Sequence, residues 1–219
     1  MGIIAGMSRT PRGINSINLI LDHASRLFLS NGYRSTTVEQ IARAANLSKG
    51  AVYFHFKDKA ALALHLLQRA EEQLDAAIAT ASECDNPQDA LVRFLHQRSL
   101  LAQQRPDYWL LTIMLSVELA GSRSLIETNV KKVYERLDNF LEELISDGVS
   151  LGLFTSELPA KEQAAIIVAT HDGMLMQWRR RGRQLKGKHL VRAMRRSVLL
   201  GLGARLTDQE KSPAEAVPS

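Results

Sequence analysis

The segment from Ser35 to Leu62, STTVEQIARAANLSKGAVYFHFKDKAAL, constrains the fold more than any other part of this chain. Thr36 and Thr37 precede Val38, and Glu39 and Gln40 follow, which is the signature of a helix start. Val38, Ile41, Ala42 and Ala45 then recur at i, i+3, i+4 and i+7, one apolar face of a short helix. Asn46 closes that run, and asparagine tolerates the left-handed backbone that turns a chain sharply out of a helix. Leu47 is placed to plug the corner, and Ser48 to cap the next helix. Two short helices joined by a tight corner, with a third starting almost at once, make a helix-turn-helix.

The second helix of the pair, Ser48 to Phe56, is the candidate reader. Val52 and Phe56 share one face and should point inward, leaving Lys49, Gly50, Ala51, Tyr53 and His55 outward or sideways. Gly50 and Ala51 gain nothing for solubility; they suit a backbone that another surface must approach closely. Lys57 and Lys59 follow beside Asp58. The pattern predicts DNA binding, although an ordinary helical corner with a charged rim shares it. Charge favours the first reading. Residues 1–59 carry eight Lys/Arg against three acids, whereas the rest of the chain balances at twenty of each, so the whole formal excess of +5 lies with the motif. A polyanionic partner follows from counterion release.

These residues also carry a resemblance. F-x-x-x-G-Y-x-x-T-T at Phe28–Thr37, I-A at Ile41–Ala42 and S-K-G-x-x-Y-x-H-F-x-x-K at Ser48–Lys59 resemble the DNA-binding domain of the TetR/AcrR family of bacterial transcriptional regulators. Two positions depart from the family pattern. Asn46 stands where glycine is usual, and Phe54 where many members have a second tyrosine, which removes one possible phosphate hydroxyl. The resemblance implies that Lys49, Gly50 and Ala51 lie at or near base edges. It implies phosphate clamps at Thr37, Tyr53, His55 and Lys59, with Thr36 beside them and Ser48 as a cap that also reaches the backbone. It further implies a homodimer through the last two helices on double-stranded DNA with a palindromic operator, repression as the usual mode, and a small-molecule inducer.

The rest of the chain reads as helix. The pattern gives an all-α fold of about nine helices and no convincing strand, with a DNA-binding domain at 1–58, a larger ligand-binding and dimerisation domain at 59–206, and a tail at 207–219 expected to be disordered. The helices are expected at about 14–31, the pair above, 59–82, 87–105, 106–121, 123–151, 160–181 and 188–206. The fourth is long enough to belong to both domains. The eighth, with Ile166, Ile167, Val168, Leu175 and Met176, reads as apolar nearly all round and asks for a partner surface. Gly148 and Gly152 read as loosening the end of the seventh.

For a ligand, Trp109, Met114, Tyr134, His171, Met174 and Met176 offer large adaptable surface, with Glu118, Asp172 and Gln177 as polar groups, which suits a small, mostly apolar molecule. Each of these has a plain alternative as ordinary core. The cluster from Trp178 to Arg196 holds nine Lys/Arg and no acid; it suits a nucleic acid, an acidic ligand or a solvated turn between helices.

Other classes find little support. No run approaches 18 apolar residues, the first residues lack the apolar core of a signal peptide, and the single cysteine, Cys84, suits a reducing cytoplasm. Met7 is an alternative start. Histidines 23, 55, 65, 96, 171 and 189 show no metal-ligand spacing, and no phosphate loop or nucleophile elbow is present, so neither an enzyme, a metal nor a cofactor is expected. An enzyme would need His96, Glu118 and His171 to converge. The nearer rival is a DNA-binding protein without a small-molecule inducer, controlled by a protein partner or organising DNA.

Overall fold

The computed structural model describes residues 11–206; the expected N-terminal arm, the alternative start at Met7 and the expected tail lie outside them. Among the described residues the fold is all-α. Nine α-helices run in the order α1 (Pro11–Asn31), α2 (Val38–Ala44), α3 (Lys49–His55), α4 (Lys59–Ala81), α5 (Pro87–Gln104), α6 (Pro106–Glu118), α7 (Leu125–Ser150), α8 (Ala160–Arg181) and α9 (Gly187–Gly201). A single 3₁₀ turn at Gly182–Gln184 separates the last two.

Packing divides these helices into two compact units. Among the described residues the first contains those up to Ala70 together with Asp107–Val130, and the second contains Glu71–Pro106 and residues 131–206. α4 is one continuous helix with residues in both. In the first unit Ile20, Ala24, Phe28, Ile41, Val52 and Leu62 are wholly buried, and α6 adds Trp109, Leu111 and Leu115. Asn86 accepts from the Asp89 amide (2.9 Å) and Pro87 follows, which starts α5 in the second unit as the sequence implies. There the core is built from Leu74, Leu91, Phe94, Leu141, Ile145 and Leu199, with the Phe94 and Phe140 rings 4.9 Å apart.

Two glycines are fixed by what surrounds them. Gly148 does not loosen α7; it is buried, and a Cβ there would fall on the Phe154 ring. Gly203 has φ +68° and lies against Thr155, whose amide donates to Leu202 O (3.0 Å). That left-handed residue ends α9 at Gly201, five residues short of the expected boundary.

Candidate nucleic-acid interface

The helix-turn-helix head, α1 to α3 with the start of α4, is built by local rules. Thr37 accepts from the Gln40 amide at 3.2 Å while Gln40 Oε1 accepts from the Thr37 amide at 2.8 Å, a complete capping box on α2. Asn46 takes φ +54°, the left-handed corner that its side chain permits. Ser48 Oγ accepts from the Ala51 amide at 3.1 Å and starts α3. Val52 and Phe56 anchor α3 at 0 % and 3 % exposure, so Lys49, Gly50, Tyr53 and Phe54 are turned outward. A Cβ on Gly50 would meet only Ser48 Oγ at 3.8 Å, so space is open in front of the helix. Edge-to-face rings support its far end: Phe54 to His55 at 5.0 Å, His55 to Phe56 at 6.5 Å, and Phe56 to His65 of α4 at 5.1 Å.

Two residues expected at the DNA, Lys59 and Thr36, are occupied otherwise. Lys59 Nζ donates to Tyr33 O (2.7 Å), Thr36 O (2.8 Å) and Arg34 O (3.1 Å) and lies 4.5 Å from the Tyr33 ring centre. An ammonium has three hydrogens, and all three are used. In this arrangement Lys59 bolts the α1–α2 loop, and its ammonium has no hydrogen left over for the phosphate that the resemblance implies. Burial holds the Lys59 ammonium below its usual range. Thr36 is wholly buried and donates to Gly32 O at 2.7 Å, so it too stays inside the head. Glu118, read as a ligand group, accepts from the amides of Tyr33 (2.9 Å) and Arg34 (2.6 Å) and ties α6 to the same loop. Thr37, Ser48, Lys49, Gly50, Ala51, Tyr53 and His55 remain on or beside the outer face, exposed or half-buried. Glu39, absent from the expected set, joins them through an ion pair with Lys49.

In the second unit, Tyr134 and His171 do come together, through Asp172. Tyr134 Oη donates to Asp172 Oδ2 at 2.7 Å, and His171 Nδ1 lies 3.3 Å from Asp172 Oδ1. Arg98 of α5, which sequence reasoning passed over, is buried beside them. Its spacing carried the signal, since Leu91, Leu95, Arg98 and Ala102 occupy one buried stripe interrupted by a charge. Burial, and then the Arg98 charge, hold His171 down to about 4, so it is neutral at pH 7; burial alone lowers Arg98 to about 10 against the opposing pull of Asp172.

Met174 lines an apolar slot of the same unit, with Ala102, Gln103, Leu175, Trp178 and Leu190. Its cavity measures about 30 Å³, room for roughly one water. Trp109 and Met114, one buried and one half-buried, belong to the first unit. His96 is exposed and His171 buried. Among the described residues no group of three or more His, Cys, Asp or Glu is placed to hold a metal ion, and no helix is long and apolar enough to cross a membrane.

The model of the bacterial regulatory proteins of the tetR family matches residues 20–66, and that of the YsiA-like protein C-terminal region matches residues 66–201. The chain belongs to the TetR/AcrR family of bacterial transcriptional regulators. Members of the TetR family regulate transcription and are not enzymes. The MbdR regulator from Azoarcus sp. CIB is 39 % identical, with 85 % of this chain and 98 % of that one covered at a TM-score of 0.76. The fatty acid metabolism regulator protein of Bacillus subtilis is 27 % identical over 167 residues, 73 % of this chain and 81 % of the relative. The TetR fold is shared also with AibR, solved with isovaleryl coenzyme A and operator DNA, at 19 % identity and a TM-score of 0.70 over 87 % of this chain and all of that one.

Proposed function

We propose that this protein is a homodimeric cytoplasmic repressor that holds a palindromic operator with two copies of α3 and releases it when an effector enters the C-terminal helices. The outward face of α3 carries the DNA half of this reading: Lys49, Gly50 and Tyr53 are exposed on a helix anchored by Val52 and Phe56. One seven-residue helix touches too few bases to be specific, and two set one helical turn of DNA apart read successive major grooves. The outer face of α8 supports pairing. Ala165, Ala169 and Gly173 are exposed along it beside Ile166 at 64 %, and Leu200 of α9 is 55 % exposed, so small and apolar residues face outward where another helix can pack closely.

For the effector, the slot between α5, α8 and α9 abuts the basic segment, since Trp178 and Gly187 line it and Arg179, Arg180, Arg181, Lys186 and Lys188 are exposed around them. An apolar slot next to surplus positive charge suits an amphipathic anion. An acyl thioester of coenzyme A, the class held by AibR, has that form. The ligand must bind an operator-releasing conformer better than the operator-holding one, and α4, one helix with residues in both units, carries the difference to the head. A coupling of roughly 1–3 kcal/mol, about 5- to 150-fold in operator affinity, is what such a shift supplies. The tightness of the slot is the one observation favouring an effector-free regulator, because a ligand must first open it.

The test has two stages. Selection of genomic fragments by the full-length protein at near-physiological salt should recover a palindrome. Acyl-coenzyme A thioesters from acetyl to stearoyl are then titrated into the operator complex, with Trp178 fluorescence reporting the slot. Release by one chain-length class supports the reading, and binding without any release by the series favours the effector-free regulator. Salt-sensitive binding to all sequences alike would point to an architectural protein.

A further inference from the structure

Glu39 is a carboxylate on the face that approaches a polyanion, where it repels phosphate unless it has a task. Its side chain and that of Lys49 are 48 % and 54 % exposed and joined as an ion pair between α2 and α3. An exposed pair of this kind adds little stability. It does not lie at the periphery: Lys49 is the first residue of α3, the part of a reading helix that meets base edges, and Gly50 beside it leaves the approach open. The ammonium also lies over the Tyr53 ring, 5.6 Å from its centre. Arg43 and Asn46 complete the shallow polar groove around the pair.

We infer that Lys49 and Glu39 act as one unit that reads a G·C base pair in the major groove, Lys49 donating to guanine and Glu39 accepting from cytosine. This rests on α3 being the reading helix. Guanine presents two adjacent acceptors, N7 and O6, and its partner presents the N4 amino donor beyond them. Lys49 has three hydrogens, one of which keeps Glu39 Oε1, leaving two for the adjacent acceptors. Glu39 retains acceptor capacity for the cytosine amino group. An A·T pair places its donor between two acceptors and adds a methyl group, so the same order of partners is not met. The Lys49 hydrogen bond holds the Glu39 carboxyl below its usual range, and Glu39 raises Lys49, so both stay charged at neutral pH. The pair as a whole is neutral, which turns Lys49 from a general phosphate ligand into a discriminating one.

The test is selection from a random duplex library by the full-length protein, repeated with Glu39→Gln, Lys49→Ala and the double variant, all at surface positions. The wild-type half-site should contain a G·C pair at which Glu39→Gln loses roughly tenfold discrimination. Glu39→Gln should also bind random-sequence duplex more tightly, and its plot of log affinity against log salt should steepen by about 0.9, because the freed ammonium turns to a phosphate. The double variant should discriminate at that pair no worse than Lys49→Ala alone. If Glu39→Gln selects the wild-type site with an unchanged salt slope, the pair is only a tie between α2 and α3 and the inference falls. If the wild-type protein selects no site, the operator reading itself falls, and this one with it.

Discussion

Replacing Lys59 by methionine separates a structural bolt from a phosphate clamp. The side chain keeps its length and apolar stem but loses three hydrogen bonds to carbonyls at 2.7, 2.8 and 3.1 Å, together with its place 4.5 Å from the Tyr33 ring. A hydrogen bond to a charged donor contributes about 1.5–3 kcal/mol, but Lys59 is only partly buried and water reaches some of the vacated carbonyls. Discounting for that, the loss should be about 2–4 kcal/mol, which in a protein of this length corresponds to roughly 5–15 °C in Tm. Urea and thermal unfolding of wild-type and Lys59→Met protein at one protomer concentration measure this directly. Operator binding across a salt series is the companion assay. The slope of log affinity against log salt should be unchanged, since no phosphate contact is removed, even if affinity falls because the head is loosened. A variant within 0.5 kcal/mol of wild type in stability whose salt slope flattens by about 0.9 would make Lys59 a phosphate ligand and not a bolt.

Three further outcomes are expected. His171 is held near 4 in the folded chain against an ordinary 6.5, so the unfolded chain binds the additional proton between those values. Its contribution is therefore complete above about pH 6.5 and is lost toward pH 4, by up to roughly 3 kcal/mol. Urea unfolding at pH 7, 6 and 5 should show that decline in wild type and a flatter profile in His171→Asn, whereas parallel profiles would contradict it. Gly148→Ala places a methyl on the Phe154 ring and should cost about 1–3 kcal/mol; Phe154→Leu in the same chain should recover part of the lost Tm, and its failure to do so would locate the strain elsewhere. Ile166→Glu puts a charge on the exposed face of α8, so it should leave helical content intact while sedimentation shows monomers and operator binding collapses; a dimeric variant would move the interface off α8.

How much of the site is legible in the sequence depends on how far apart the interacting residues lie in the chain. The capping box of Thr37 and Gln40, the left-handed Asn46 and the Ser48 cap each join residues no more than three positions apart, and each was readable from residue type and spacing. The inward turn of Val52 and Phe56 followed from the helical period alone. The same arithmetic exposed Lys49 and Tyr53, and gave most helix boundaries to within a few residues. The role of Gly148 is not legible in helix propensity, because its requirement comes from Phe154, whose approach to α7 is set by the loop that follows.

The all-α class, the position of the helix-turn-helix and the charge that goes with it follow from caps, period and composition alone. Which polar side chains are available depends on packing between distant segments. Lys59 meets Tyr33 across 26 positions of chain, and Glu118 meets Tyr33 across 85. Arg98, His171 and Asp172 meet only because α5 and α8 belong to one packed unit. A lysine that grips three carbonyls and a lysine that faces solvent are the same letter in sequence. The difference lies in desolvation and in the direction of carbonyls on distant segments, and those exist only once the chain has packed.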